Sequence, residues 1–169
     1  MDFRLVEPNS IYKDSFQANV LSYKNDGEEF YYNLYKEALD DFDLYVDKLI
    51  GFSKGEGIEE NWVSFSTFWL ANAEDEILGV IRVRHKEVPL NGHIGYDVPP
   101  RHRKNGYGKM MLKLSLKNSK ELGLDEVIVT CEENNISSEK IIKSANGEFL
   151  GLEKNENDNK MYKKFRIKI

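Results

Sequence analysis

A single cysteine, Cys131, stands among 169 residues, so no internal disulfide can form. That usage fits a reducing, cytoplasmic setting. Placed just after the apolar run Val127–Val129, Cys131 is expected to pack as a small buried hydrophobe. Histidine is scarce too: three residues, scattered, with no metal-ligand spacing among them and the cysteine, so no metal is expected. Long apolar runs are lacking, since Ile77–Val83 is already interrupted by Arg82, and no stretch could cross a bilayer as a helix. The start, Met1-Asp2-Phe3-Arg4, has no basic-then-apolar leader layout. Basic excess is missing as well. Lys and Arg number 24 against 29 Asp and Glu, a net charge of −5, which argues against nucleic acid as the main partner and mildly favours a cationic small molecule such as an amine. Nothing repeats.

What is present is one domain's worth of ordinary globular sequence, residues 1–169, with enough apolar residues (40%) to fill a core. Phe3–Val6 reads as a short strand. Ser10 is placed to cap a helix through about Lys24, with Phe16, Val20 and Tyr23 at helical spacing. A second helical run covers Glu28 to about Phe52, with a bend near Asp40-Asp41, and the acidic cluster there reads as a solvated face. Gly51–Glu60 reads as a loop. From Val63 the period becomes that of strands: Phe65–Ala71 and Ile77–Val83 form a hairpin, Lys86–Asn91 a loop, and His93–Val98 a strand. Lys109–Leu122 is an amphipathic helix stopped at Gly123. The continuously apolar strand Asp125–Cys131 suggests parallel pairing with both faces covered. Asn135 is placed to cap a helix over Ile136–Ala145, and strands at Phe149–Leu152 and Met161–Ile169 close the chain. The order β-α-α-β-β-β-α-β-α-β-β predicts an α/β domain with a mixed sheet.

The chemistry centres on Arg103-Lys104-Asn105-Gly106-Tyr107-Gly108, between a strand and a helix. Free N–H groups at a helix start, the helix dipole and glycines without a Cβ together favour a bound anion. The glycines alone are equally compatible with a tight turn. No Gly-Lys-Ser/Thr follows, which excludes a P-loop, and the unit is a poor dinucleotide fingerprint. Arg103 adds a permanent positive charge useful against a diphosphate.

The whole stretch Val98-Pro99-Pro100-Arg101-His102-Arg103-Lys104-Asn105-Gly106-Tyr107-Gly108 resembles the acetyl-CoA-binding motif of the GNAT superfamily of N-acetyltransferases, with its core Arg/Gln-x-x-Gly-x-Gly/Ala. Asn135-Ile136-Ser137-Ser138 with Ile141-Ile142 resembles that superfamily's second motif, in the matching order. Ser66-Thr67-Phe68-Trp69, His93–Val98 and Val129-Thr130-Cys131 further resemble a subgroup of predicted acetyltransferases. The resemblance implies a GNAT-like sheet that splays apart at a cofactor slot. It implies that Val98 holds the pantetheine arm through its backbone and orients the acetyl carbonyl. It implies that Arg103, Lys104, Asn105, Gly106, Tyr107 and Gly108, with Lys109, wrap the pyrophosphate, and that Asn135 and Ser138 contact the pantetheine. Acetyl-CoA is then the co-substrate, and a small-molecule or peptide amine the acceptor, with neither nucleic acid nor membrane as partner. A homodimer would be in keeping, dimers being common in such families.

The reaction implied is direct transfer from thioester to amine, with Cys131 not required as a nucleophile. The chain departs from better-known members: Ile142 stands where many carry a tyrosine acid, and Thr130 where some carry a glutamate base. His93, Tyr96 and Glu132 are the replacement candidates, alongside a solvent-relayed base. Acceptor choice should lie in the N-terminal helices and the loop to Trp62, where Tyr31, Tyr32, Tyr35, Trp62, Phe68 and Trp69 could form a cation-binding wall or simply pack as core. The rival reading is a CoA-binding module without transfer activity.

Overall fold

The helical spacing of Phe16, Val20 and Tyr23 becomes α1 (Lys13–Asn25), entered through a tight turn at Ser10–Tyr12. Asn9, not Ser10, supplies the cap, its side chain accepting from the Ile11 N–H. The long second run divides as expected near Asp40-Asp41, into α2 (Glu29–Tyr35), a tight turn at Lys36–Leu39 and α3 (Phe42–Ser53). Asp41 caps α3 through the Leu44 N–H, and Asp43 accepts from the Ser10 hydroxyl. The computed structural model describes residues 2–169. Its strands are β1 (Arg4–Val6), β2 (Phe65–Ala71), β3 (Ile77–Val88), β4 (Gly92–Asp97), β5 (Glu126–Glu132), β6 (Glu148–Asn155) and β7 (Lys160–Lys168). Helices α4 (Tyr107–Glu121) and α5 (Ile136–Ser144) interrupt the second half.

All seven strands form one mixed sheet in the order β1-β2-β3-β4-β5-β7-β6, antiparallel except between β4 and β5. β3 outruns its expected end and takes in residues read as loop, because the ladder to β4 slips between Val83 and Val88 and resumes at Val88–Gly92. The parallel pairing expected of β5 holds at one position only, Ile94 with Val129. On its other edge β5 pairs antiparallel with β7 over its full length. Beyond Ile94 and Val129 the two central strands diverge, and that wedge positions everything else.

Strand alternation sends each residue to one face or the other. One face, carrying Leu78, Ile81, Ile94, Val127, Val129 and Phe165, packs on Met111 and Leu112 of α4 and Ile142 of α5. The opposite face, carrying Trp69, Ala71 and Val80, packs on the N-terminal helices through Phe16, Val20, Tyr23, Tyr35 and Phe42. Cys131 is buried on the first of these sides, as expected, and burial pushes its thiol pKa up. No helix among the described residues is long and apolar enough to cross a membrane.

Candidate active site

Where β4 and β5 part, a cleft of about 640 Å³ opens. One wall is the end of β4, Tyr96-Asp97-Val98. The floor is the turn from His102 to Gly106 with the first turn of α4, and the other wall is Asn135, Ser137, Ser138, Lys140 and Ile141 around the start of α5. Tyr31 of α2 reaches in from the opposite side of the sheet.

The start of α4 differs from those of α3 and α5 on either side of it in the chain, and like those of α1 and α2 it has no side-chain cap. Asp41 caps α3 and Asn135 caps α5, each with a side-chain oxygen on a backbone N–H. α4 begins instead at Gly106, with φ +81°, no side-chain cap and no acidic residue in its first turn. A helix leaves its first N–H groups without intrahelical partners, and its dipole prefers negative charge there. Here the first turn holds Lys109 instead. Nothing lies within 4 Å of the point where a Cβ on Gly106 would stand, so the backbone is open to approach. Gly108 has a different reason to lack a side chain: a Cβ there would come 2.6 Å from Ile141 Cδ1, so its absence lets α5 close against α4. Lys104, Lys109 and Lys140 all line the cleft, and none of them has a carboxylate partner among the described residues. Three lysines without a carboxylate partner thus surround the open amides at one end of the cleft, an arrangement that suits an anion.

Arg103 lines the cleft, and its side chain is also engaged by protein groups. Its guanidinium donates to both Glu28 oxygens, 2.9 Å from Nη2 to Oε2, and its Nε donates 3.0 Å to the Val98 carbonyl. That side chain therefore ties α2 to the end of β4, and it engages the Val98 C=O expected to hold the pantetheine arm. Asn105 folds back onto the carbonyls of His102 and Arg103, 3.1 Å from each, bracing the turn. Tyr107 packs against Phe3 and His102.

A match to the model of the acetyltransferase (GNAT) family covers residues 28–147, which include both the open helix start and the splayed strands. The chain belongs to the GNAT family. No curated protein matches it significantly. Among solved structures, the chain is similar to MccE, the microcin C7 self-immunity acetyltransferase in complex with acetyl-CoA and AMP, with 12% identity, 99% of this chain and 93% of that one covered, and a TM-score of 0.72. It is equally similar to RimL, a ribosomal L7/L12 α-N-protein acetyltransferase in complex with coenzyme A (13% identity, 99% and 94% covered, TM-score 0.71). A GNAT-family acetyltransferase from Bacillus anthracis shares 23% identity over 60% of this chain, which spans 65% of that protein's length (TM-score 0.52). At these identities the likeness is one of fold.

Of the three residues singled out for proton transfer in this GNAT domain, the structure brings only Tyr96 to the cleft. Its hydroxyl shares a 2.7 Å hydrogen bond with Ser138 Oγ, and burial pushes its pKa from 10.0 up to about 12. His93 points to the other face of the sheet and is buried. Its Nδ1 accepts from the Ile128 N–H at 2.9 Å, patching the β4–β5 ladder, and burial lowers its pKa. Glu132 is ion-paired with Lys160 at 2.8 Å on the β7 side, away from the cleft. Of the aromatic wall, Tyr35, Phe68 and Trp69 are core and Tyr32 covers Lys24, so no continuous wall exists. Tyr31 alone of that set lines the cleft.

Two site features escaped the sequence reading. Lys140 lies on α5, outside the motif, and only folding brings it beside the loop. Asp97, next to Val98, anchors a buried cluster: Tyr23 and Tyr35 donate to it at 2.6 and 2.5 Å, and Arg82 lies 3.4 Å away while also bonding Tyr35. The signal available was an aspartate inside an otherwise uncharged strand end.

Proposed function

We propose that this protein is an acetyl-CoA-dependent N-acetyltransferase that moves an acetyl group directly to a primary amine of a small molecule or peptide. The observation that carries the reading is the uncapped, lysine-bearing start of α4 at the mouth of a wedge between two diverging strands. A long, mostly apolar arm ending in phosphates fits that shape. Lys104, Lys109 and Lys140, with the amides of Tyr107 to Lys109, would hold the phosphates. The free edges of β4 and β5, with Asn135 and Ser138, would hold the arm. When bound, acetyl-CoA supplies the acetyl group as a thioester.

In the transfer, the amine nitrogen forms a bond to the carbonyl carbon, the carbon–sulfur bond breaks with sulfur taking the electron pair, and the nitrogen gives up its second proton to solvent, which returns one to sulfur. The amine, with a pKa of about 10, must first shed its proton. Asp97, the carboxylate lining the cleft, already accepts from two tyrosines and Arg82, so water carries that proton away. Tyr96 stays protonated and donates to the departing sulfur. Its pKa of about 12 exceeds the ~8.5 of a thiol, so it stabilises the thiolate by a hydrogen bond and solvent completes the protonation.

The reading is tested by thermal shift and by thiol release over a panel of amines. A ligand bound at about 100 times its Kd adds roughly 2.7 kcal/mol of stability, so millimolar acetyl-CoA should raise the melting temperature by several degrees. No shift at that concentration would refute it. Thiol release with any amine separates a transferase from a silent binding module. Among the relatives, RimL is described as acting on a ribosomal protein's N-terminus, and another solved structure is a spermidine N-acetyltransferase from Vibrio cholerae. Both acceptor classes belong in the panel.

A further inference from the structure

Six arginines occur in the chain, all of them described in the structure. Five face carboxylates: Arg4 with Asp75, Arg82 with Asp97, Arg101 with Glu76, Arg103 with Glu28, and Arg166 with Glu148. Arg84 is the exception. Its Nη1 donates 3.0 Å to the Asn91 carbonyl, and its guanidinium lies 5.8 Å from the centre of the Trp62 ring. The side chain is half-buried, and burial together with the neighbouring charge of Arg82 lowers its pKa to about 10. Glu87, further along the same strand, is already paired with Lys164 at 2.7 Å. A half-buried cation without a counter-ion costs stability, and such costs persist where a ligand repays them.

The position of Arg84 says what the ligand is. Arg82 reaches Tyr35 and Asp97, so Arg84, two residues on, faces the same side of the sheet, away from α4 and α5. Its neighbour on β2, Phe65, packs on Phe52 of α3. A Cβ on Gly95 would stand 3.4 Å from Arg84 Nη2, so the guanidinium rests on bare β4 backbone. Gly95 directly follows Ile94, the one position where β4 still pairs with β5. The guanidinium therefore covers the inner end of the wedge, on the face opposite the cofactor helices. An acceptor amine meeting the thioester from that face arrives beside it.

We propose that Arg84 is the anion anchor of the acceptor: the amine that is acetylated also carries an oxyanion, carboxylate or phosphate, which pairs with Arg84 beneath Trp62. This rests on the transferase reading and replaces the cationic acceptor suggested by net charge with one of opposite local charge.

The test uses the 169-residue protein without cofactor, so that it stands apart from acetyl-CoA binding. Trp69 is fully buried and Trp62 exposed, so Trp62 fluorescence reports on the site, with Trp62→Phe as the control for that assignment. Glutamate, O-phosphoethanolamine and spermidine are titrated in turn. A saturable change with glutamate or with O-phosphoethanolamine, and none with spermidine, is the expected result, and it shows which oxyanion is preferred. Arg84→Gln should weaken that binding about tenfold or more, with Arg84→Lys intermediate. Arg84→Gln should melt at the same temperature as the parent or higher, because it removes an uncompensated charge. No response to either anion, an equal response in Arg84→Gln, or a marked fall in melting temperature with that substitution overturns the proposal. A missing acetyl-CoA thermal shift, by contrast, would sink the transferase reading and leave this result standing.

Discussion

Tyr96 combines what a leaving thiolate needs from a donor: a hydroxyl on the cleft wall, a partner in Ser138 to orient it, and burial that keeps it protonated. A hydrogen bond to a charged group is worth about 1.5–3 kcal/mol, so Tyr96→Phe should lower kcat by about 10- to 100-fold. Acetyl-CoA affinity should barely change. The pH profile sharpens the test. The rate should rise with pH as the amine deprotonates, and Tyr96 loses its proton only near pH 12. The variant's profile should therefore drop in height and keep its shape, in steady-state kinetics from pH 6 to 10. A changed shape would give Tyr96 a titrating role instead. At Gly106 the argument is steric. The open space above it is what an approaching phosphate would fill, so Gly106→Trp should abolish the acetyl-CoA thermal shift.

At the scale of elements, α4 and α5 define the slot by how closely they cross. Gly108→Val would drive its branched side chain into Ile141 Cδ1, and the clash is relieved either by turning Ile141 into the cleft it lines or by moving α5 outward with Asn135 and Ser138. Overpacking of this kind costs about 1–3 kcal/mol. Denaturant unfolding should show that loss, and isothermal titration a weaker acetyl-CoA complex. Most of this level was legible in the sequence because its causes are local: the glycine turn, the Asn135 cap and the 3.6-residue spacing of Phe16, Val20 and Tyr23 sit in contiguous residues. The wedge was not legible residue by residue. A continuously apolar β5 looks the same whether it pairs with β4 at one position or along its length, and the GNAT resemblance alone implied the splay. His93 and Glu132 failed to reach the cleft for a related reason. Register decides where each ends up: His93 precedes Ile94, where the strands are still paired, and accepts from the Ile128 N–H, while Glu132 is drawn to Lys160 of β7. Arg103 read as a charge for a diphosphate, and nothing in its local sequence pointed to Glu28, which α2 brings against it.

At the scale of the molecule, the two faces of the sheet meet at Asp97. It is the point where Tyr23 of α1, Tyr35 of α2 and Arg82 of β3 converge, one residue before Val98 and the cofactor loop. Removing one partner of a buried ion pair costs about 3–5 kcal/mol, a large share of the roughly 5–15 kcal/mol that holds a domain folded. Asp97→Ala should therefore lower stability by that amount, and thiol release should fall with the folded fraction. The same cluster predicts how the protein fails in alkali. Burial raises the pKa of Tyr23, Tyr35 and Tyr45 above the ordinary 10.0, with the Asp97 charge raising all three further and Arg82 opposing at Tyr35 and Tyr45. A raised pKa means the native state holds its protons more tightly than the unfolded chain does. Stability from these groups is complete below pH 10 and lost as pH climbs above it, because the unfolded chain ionises first. Stability measured by denaturant at fixed pH values should thus be flat from neutrality to about pH 9 and then decline. Ionisation of these three buried tyrosines should arrive together with loss of the fold, while partly exposed ones outside the cluster, such as Tyr162, can ionise before it. Tyrosinate absorbance reaching its full amplitude ahead of the loss of helical circular dichroism would mean the cluster is open to solvent, and would remove the physical basis for a rigid β4 end beside the cleft.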